Sequence, residues 1–299
     1  MNTFLAERYR GEKGCPNVLA PGQIDLQSGA HVFGKRSRHA ACTLAAAVLL
    51  AISLIGCSSN NSRQSSDEAP PAANPGAQPV DKATTGSITG VINFEGTPPR
   101  AKNINMAAVP ACAKQHEVPA TTEEVVLGDN GALQNVVVYL KGDFSRYSFP
   151  TSTDPLKVDQ KGCQYEPHVV ALMTGEPLDV SNADGVSHNV NARAKLNRGW
   201  NQTQAPGAVS QSHQFSREEV AIAVSCNIHR WMRFYIAVID NPYFQVTDKD
   251  GTFILKDVPP GTYTLTAWHE LYGTKEQVIM VTPNKQQTVT MTFTDRDSR

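Results

Sequence analysis

The chain has 299 residues, of which 40% are apolar and 18% charged, with a formal net charge of -1. That is enough for one or two ordinary domains. A near-neutral balance without a basic block or an acidic tail argues against nucleic-acid binding and against long charged disorder.

The first distinctive segment is Ala40 to Ile55, AACTLAAAVLLAISLI, preceded by Lys35, Arg36 and Arg38. It is at the short end for a bilayer span and has the length of a signal-peptide apolar region. It runs into Leu54-Ile55-Gly56-Cys57, followed by Ser58. This pattern resembles the lipobox of bacterial lipoproteins, which implies acylation of Cys57 and cleavage before it. Ser58 does not resemble the aspartate that retains lipoproteins at the inner membrane, so the resemblance implies an outer-membrane anchor facing the periplasm. A plain membrane anchor is the alternative. Residues 1–34 exceed what a signal peptide needs and point to a translation start further in, so 1–56 are set aside as leader.

Residues 57–86, rich in Ala, Pro, Ser and Asn, bury too little apolar surface to fold and read as a lipidated, flexible tether. From Ser87 onward the chain has an all-β texture. Strands are predicted over 88–94, 136–140, 169–172, 178–180, 220–224 and 234–239, separated by Gly, Pro, Asn and Asp turns. Arg217 to Glu219 is given at most one helical turn. The last fifty residues alternate strand and turn, with Asp250-Gly251 and Pro260-Gly261 supplying hairpin backbone angles. Asp248-x-Asp250-Gly251 lacks the first acidic ligand of a calcium loop, Val246 standing there.

Val246 to Phe253 and Val258 to Leu265 resemble the carboxypeptidase regulatory-like, or transthyretin-like, β-sandwich. Residues 87–150 look like the first half of such a sandwich and 243–299 like its second, with another domain over 151–242 between them.

The chemistry lies in that middle segment. Cys226-Asn-Ile-His229-Arg-Trp-Met232 places a thiol, an imidazole and a thioether between two predicted strands, and His188 lies upstream in Asn182-Ala-Asp-Gly-Val-Ser-His188. Two imidazoles, one thiolate and a weak axial thioether suit copper in either oxidation state. The C-x2-H-x2-M loop, with the strand–turn–strand pattern from Pro167 to Asp184, resembles the cupredoxin family, in particular amicyanin. The resemblance covers roughly 160 to 242. It implies a Greek-key sandwich and one type 1 copper held by His188, Cys226, His229 and Met232. Ser187 and Arg230 replace prolines frequent in the family. The bland alternative is a buried free cysteine beside surface histidines and a core methionine. Trp231 reads as hydrophobic cover near the site.

No second cysteine lies in the loop and no His-x-His pair exists, so the expectation is an electron carrier and not an enzyme. Its partner would be a c-type cytochrome, a dehydrogenase or a reductase. A carbohydrate- or envelope-binding module, with Tyr243, Trp268 and Tyr272 as an aromatic platform, and a copper storage or delivery protein are the rival readings. An oxidising compartment favours a disulfide between Cys112 and Cys163. Cys112-x3-His116 with Cys163-x4-His168 as a second metal site is the other possibility. His269 reads as structural and His213 as solvated.

Overall fold

The computed structural model describes residues 75–297. The leader, Cys57 and the first part of the tether lie outside the described residues. The strands, in chain order, are β1 (Gly86–Glu95), β2 (Val137–Lys141), β3 (Leu156–Lys161), β4 (Gln164–Glu166), β5 (Val169–Met173), β6 (Pro177–Asn182), β7 (His188–Arg193) and β8 (Trp200–Gln204). They continue with β9 (Gln211–Gln214), β10 (Glu219–Ser225), β11 (Arg233–Ile239), β12 (Phe244–Val246), β13 (Thr252–Val258), β14 (Gly261–His269), β15 (Gly273–Val281) and β16 (Gln286–Thr294). The single-turn α1 (Pro110–Ala113) is the α-helix among the described residues. None of their helices is long and apolar enough to cross a membrane.

The strands make two sandwiches. In the outer one, the sheet β13-β1-β16 faces the sheet β12-β2-β14-β15. β1 alternates buried and half-buried residues along its length, as a strand with one face on a core must. Ile88, Ile92, Leu140, Phe253, Leu265 and Phe293 fill the space between these sheets. Gly90 is required in β1: a Cβ there would lie 2.2 Å from the Val289 carbonyl oxygen and 2.6 Å from the Phe253 ring. The outer sandwich thus joins strands from before and after the middle segment, and β1 pairs parallel with β16.

In the inner sandwich, the sheet β5-β11-β10-β7-β8 faces the sheet β4-β3-β6-β9. Its core holds Val158, Tyr165, Leu178, Ile222, Phe234 and Ile236. A third cluster, with Val137, Tyr139 and Trp268 from one sandwich and Val169, Ala237 and Ile239 from the other, packs the two together. Trp268 meets Tyr235 edge-on at 5.5 Å.

Several expectations are corrected. The segment 87–150 is divided: Ile104, Met106, Val109 and Cys112 leave the outer sandwich and pack into the inner core. The tether ends before residue 86, since Gln78 forms a bridge with Tyr147. Residues 217–219 make no helical turn; Glu219 opens β10, and its carboxylate accepts the N–H groups of Lys195, Leu196 and Asn197. His213 is half-buried rather than fully solvated, and stacks on Trp200 with ring centres 3.9 Å apart.

Candidate metal centre

His188 starts β7, and Cys226 follows directly on β10. These strands are antiparallel neighbours, with Ser225 opposite Asn191, so pairing alone brings the two residues together. The turn after Cys226 closes tightly: the Met232 N–H donates to the His229 carbonyl at 2.9 Å, and the Cys226 N–H to the Met232 carbonyl at 3.2 Å. Asparagines tie the two loops. Asn189 Oδ1 accepts the Asn227 N–H at 3.2 Å, and Asn191 Nδ2 donates to Asn227 Oδ1 at 3.0 Å.

The donor atoms converge. His188 Nδ1 lies 2.9 Å from His229 Nδ1, and Cys226 Sγ lies 3.9 Å from His229 Nδ1. One ligand atom from each of the three residues lies within 4.8 Å of the others. His188 is 0% exposed, and Cys226 and His229 are each 2% exposed. Met232 is buried in the same cluster as Cys226. The site therefore offers two imidazole nitrogens and a sulfur in a buried space, a donor set that fits a borderline-soft transition metal such as copper.

Electrostatics prepare the thiol. Burial pushes the Cys226 thiol up, but hydrogen bonds from His188 and from the backbone N–H groups of His229, Asn189 and Ile228 outweigh it and leave its pKa below the ordinary value. The Asn189 and His229 amides each stand 3.3 Å from Sγ. Burial works to lower the pKa of His188, yet its bonds to Cys226 and Asp184 raise it overall. Burial and the neighbouring His188 lower that of His229.

The far edge of His229 is covered. Cys112 and Cys163 form a disulfide with S–S 2.04 Å, and Cys112 Sγ sits 3.9 Å from His229 Nε2. The strap that carries Cys112 is pinned by a bridge between Asn103 and Thr121 and by His116 Nε2, 2.7 Å from the Gly162 carbonyl oxygen. Trp231 packs near His229 and donates from Nε1 to the Cys163 carbonyl at 2.9 Å.

This geometry disposes of the second-metal alternative. The two sulfurs are bonded to each other, His116 is engaged by Gly162, and His168 is paired with Glu270 and lies 3.7 Å from Glu123. The aromatic platform is absent as well, because Tyr243, Trp268 and Tyr272 are all buried. His269 is buried and stacks on Tyr272. The role of Asp184, whose carboxylate bonds His188, was missed in the sequence. Its place four residues before the first histidine was the available signal.

Residues 240–294 match the carboxypeptidase regulatory-like domain family, which agrees with the resemblance read from the tail. No curated protein matches the chain. Among solved structures, a copper-containing nitrite reductase from Thermus scotoductus is 16% identical, with 31% of this chain and 24% of that chain covered and a TM-score of 0.28. The chain thus spans about a quarter of that enzyme's length. A mutant of oxidised amicyanin is 20% identical, with 28% and 81% covered and a TM-score of 0.26. A purple cupredoxin from Nitrosopumilus maritimus is 20% identical, with 28% and 99% covered and a TM-score of 0.25. The chain is all-β, its residues 240–294 match the carboxypeptidase regulatory-like domain family, and two cupredoxins and a copper-containing nitrite reductase are among the solved structures it is similar to.

Proposed function

We propose that the protein holds one type 1 copper ion and carries single electrons between partner proteins in the periplasm, at the periplasmic face of the bacterial outer membrane. The observation that carries this reading is the meeting of one donor atom each from His188, Cys226 and His229 within 4.8 Å of one another in a buried space. Met232, buried at the end of the same turn, would supply a thioether sulfur. Copper in such a site changes between its singly and doubly charged states. The chain's part is to hold the donors still: paired strands fix His188 against Cys226, the turn fixes His229, and amide N–H groups stabilise the thiolate. A rigid donor set suits outer-sphere transfer, because little has to move when the charge changes.

Cys57 would carry the lipid that anchors the chain in the outer membrane, and the residues after it would hold the sandwiches away from the surface. A c-type cytochrome, a dehydrogenase or a reductase is the partner class this chemistry serves. The burial of all three donors weighs against rapid handover of the metal, so storage or delivery is the weaker reading.

The test is the visible and electron paramagnetic resonance spectrum of the oxidised, copper-loaded protein. The expected result is an intense sulfur-to-copper absorption band that vanishes in Cys226→Ser. A colourless copper(II) form sinks the assignment.

A further inference from the structure

One buried carboxylate outside the donor set is aimed at the centre. Asp184 is 4% exposed, and its Oδ2 stands 2.7 Å from His188 Nε2, the ring nitrogen on the side away from Cys226 and His229. The carboxylate is itself held. The Gly162 N–H donates to Oδ1 at 2.8 Å and the Cys163 N–H to Oδ2 at 2.7 Å, while the Asp184 N–H donates to Asn182 Oδ1 at 3.0 Å.

The two clamping amides come from the turn between β3 and β4, where Lys161 pairs with Gln164. Gly162 and Cys163 have φ of 62° and 55°. Positive φ at both central residues is the backbone of a two-residue type I′ hairpin, and here it points consecutive N–H groups at one carboxylate. Glycine adopts that conformation freely, whereas cysteine does so at a cost. The disulfide and the bond to Asp184 hold Cys163 there.

We infer that Asp184 is a positioning residue that sets the centre's preference between oxidised and reduced copper by gripping His188 from its far nitrogen. The inference rests on the copper reading above. A carboxylate that accepts the far N–H of a ligand imidazole fixes the ring's tautomer and strengthens its donor nitrogen. It also places a negative charge near the metal in a poorly screened interior. Both effects favour the doubly charged ion over the singly charged one, so Asp184 lowers the reduction potential.

Asp184→Asn keeps the size of the side chain and a carbonyl oxygen for His188 and Cys163. It removes the charge and one bond to Gly162. Asp184→Glu keeps the charge and changes the reach. The expected result for the Asn variant is a shift of about tenfold in relative affinity toward reduced copper, equal to a rise of about 59 mV for one electron. The Glu variant is expected to stay nearer the wild type, and retention of the disulfide, checked by intact mass, guards against a misfolded variant. In the metal-free protein, nitrogen NMR of His188 is expected to show a strongly hydrogen-bonded Nε2–H that weakens in Asp184→Asn. A wild type without the sulfur-to-copper band overturns the copper reading and this inference together. A blue wild type whose Asn variant keeps the same potential, or whose Glu variant shifts as far as the Asn variant, overturns the role of Asp184 alone. So does an unchanged His188 nitrogen spectrum.

Discussion

At the scale of single residues, two buried ionisable groups away from the centre give opposite kinds of information. Burial pushes His269 down to about 4, well below an ordinary histidine, so it is neutral in the folded protein. Its folded pKa is below its unfolded one. Its contribution is therefore complete above about pH 6.5 and is lost as the pH falls toward 4, because the unfolded chain binds the proton first. In His269→Gln this acid loss, about 3 kcal/mol at its limit, is expected to disappear from the pH dependence of urea unfolding between pH 7 and 4. Glu219 works through its hydrogen bonds. Burial raises it, but the amides of Lys195, Asn197 and Leu196 together bring it below the usual carboxylate range. Glu219→Gln is expected to cost about 2 kcal/mol at pH 7. That difference should shrink as the pH drops through the folded pKa of Glu219, read from paired urea midpoints.

Among the candidate site residues, His188, Cys226 and His229, which the structure brings together, stand out in the sequence because their chemical types are rare together. A thiol, two imidazoles and a thioether in one loop and its upstream neighbour leave few alternatives. Asp184 was not legible in this sense, since aspartate is common in turns and its work here depends on a hairpin from another part of the chain. His213 failed for a similar reason. Its polar neighbours in β9 gave no sign of Trp200, which lies across the sheets.

At the scale of elements, strands of alternating or continuous apolar character were readable: β1, β2, β5, β6, β10, β11 and β12 to β14 lie close to their predicted positions. The strands that the sequence pattern does not mark, such as β3, β8 and β9, are mostly polar in sequence, and they exist because neighbours pair with them. The strap over 103–121 was also unreadable, because its place is fixed by Cys112 reaching Cys163 and by a few apolar anchors rather than by its own pattern. It covers His229, so it should control access to the thiol behind. In the metal-free protein, removing the bridge by Cys112→Ala with Cys163→Ala is expected to speed alkylation of Cys226 at least tenfold. Mass spectrometry of the tryptic peptide Glu218–Arg230 reads this rate separately from the other cysteines. Equal rates would mean that the strap stays closed without its disulfide. Within the outer sandwich, Gly90→Ala is expected to lower stability by about 2 kcal/mol through overpacking, measured by chemical denaturation, because the neighbouring backbone oxygen has no room to retreat.

At the scale of the whole molecule, the apolar seam around Trp268 and Ile239 decides whether two sandwiches behave as one. Trp268→Ala removes a buried aromatic from that seam and is expected to cost about 3 kcal/mol. It should also separate a single thermal transition into two, as calorimetry would show. The outer sandwich carries the seam, while His188, Cys226 and His229 all come from the inner one.

The parallel pairing of β1 with β16 also dictates a sequence of events in time. As the polypeptide emerges, β1, the first strand among the described residues, has no neighbouring strand in its sheet until nearly everything after it has been made, since the antiparallel neighbour β13 also arrives late. The outer sandwich therefore cannot close progressively from the leading end, while the inner one has all its strands in an uninterrupted stretch and is free to form first. Contacts this distant are slow to establish, so a newly made chain stays threadable for longer than one built from adjacent hairpins.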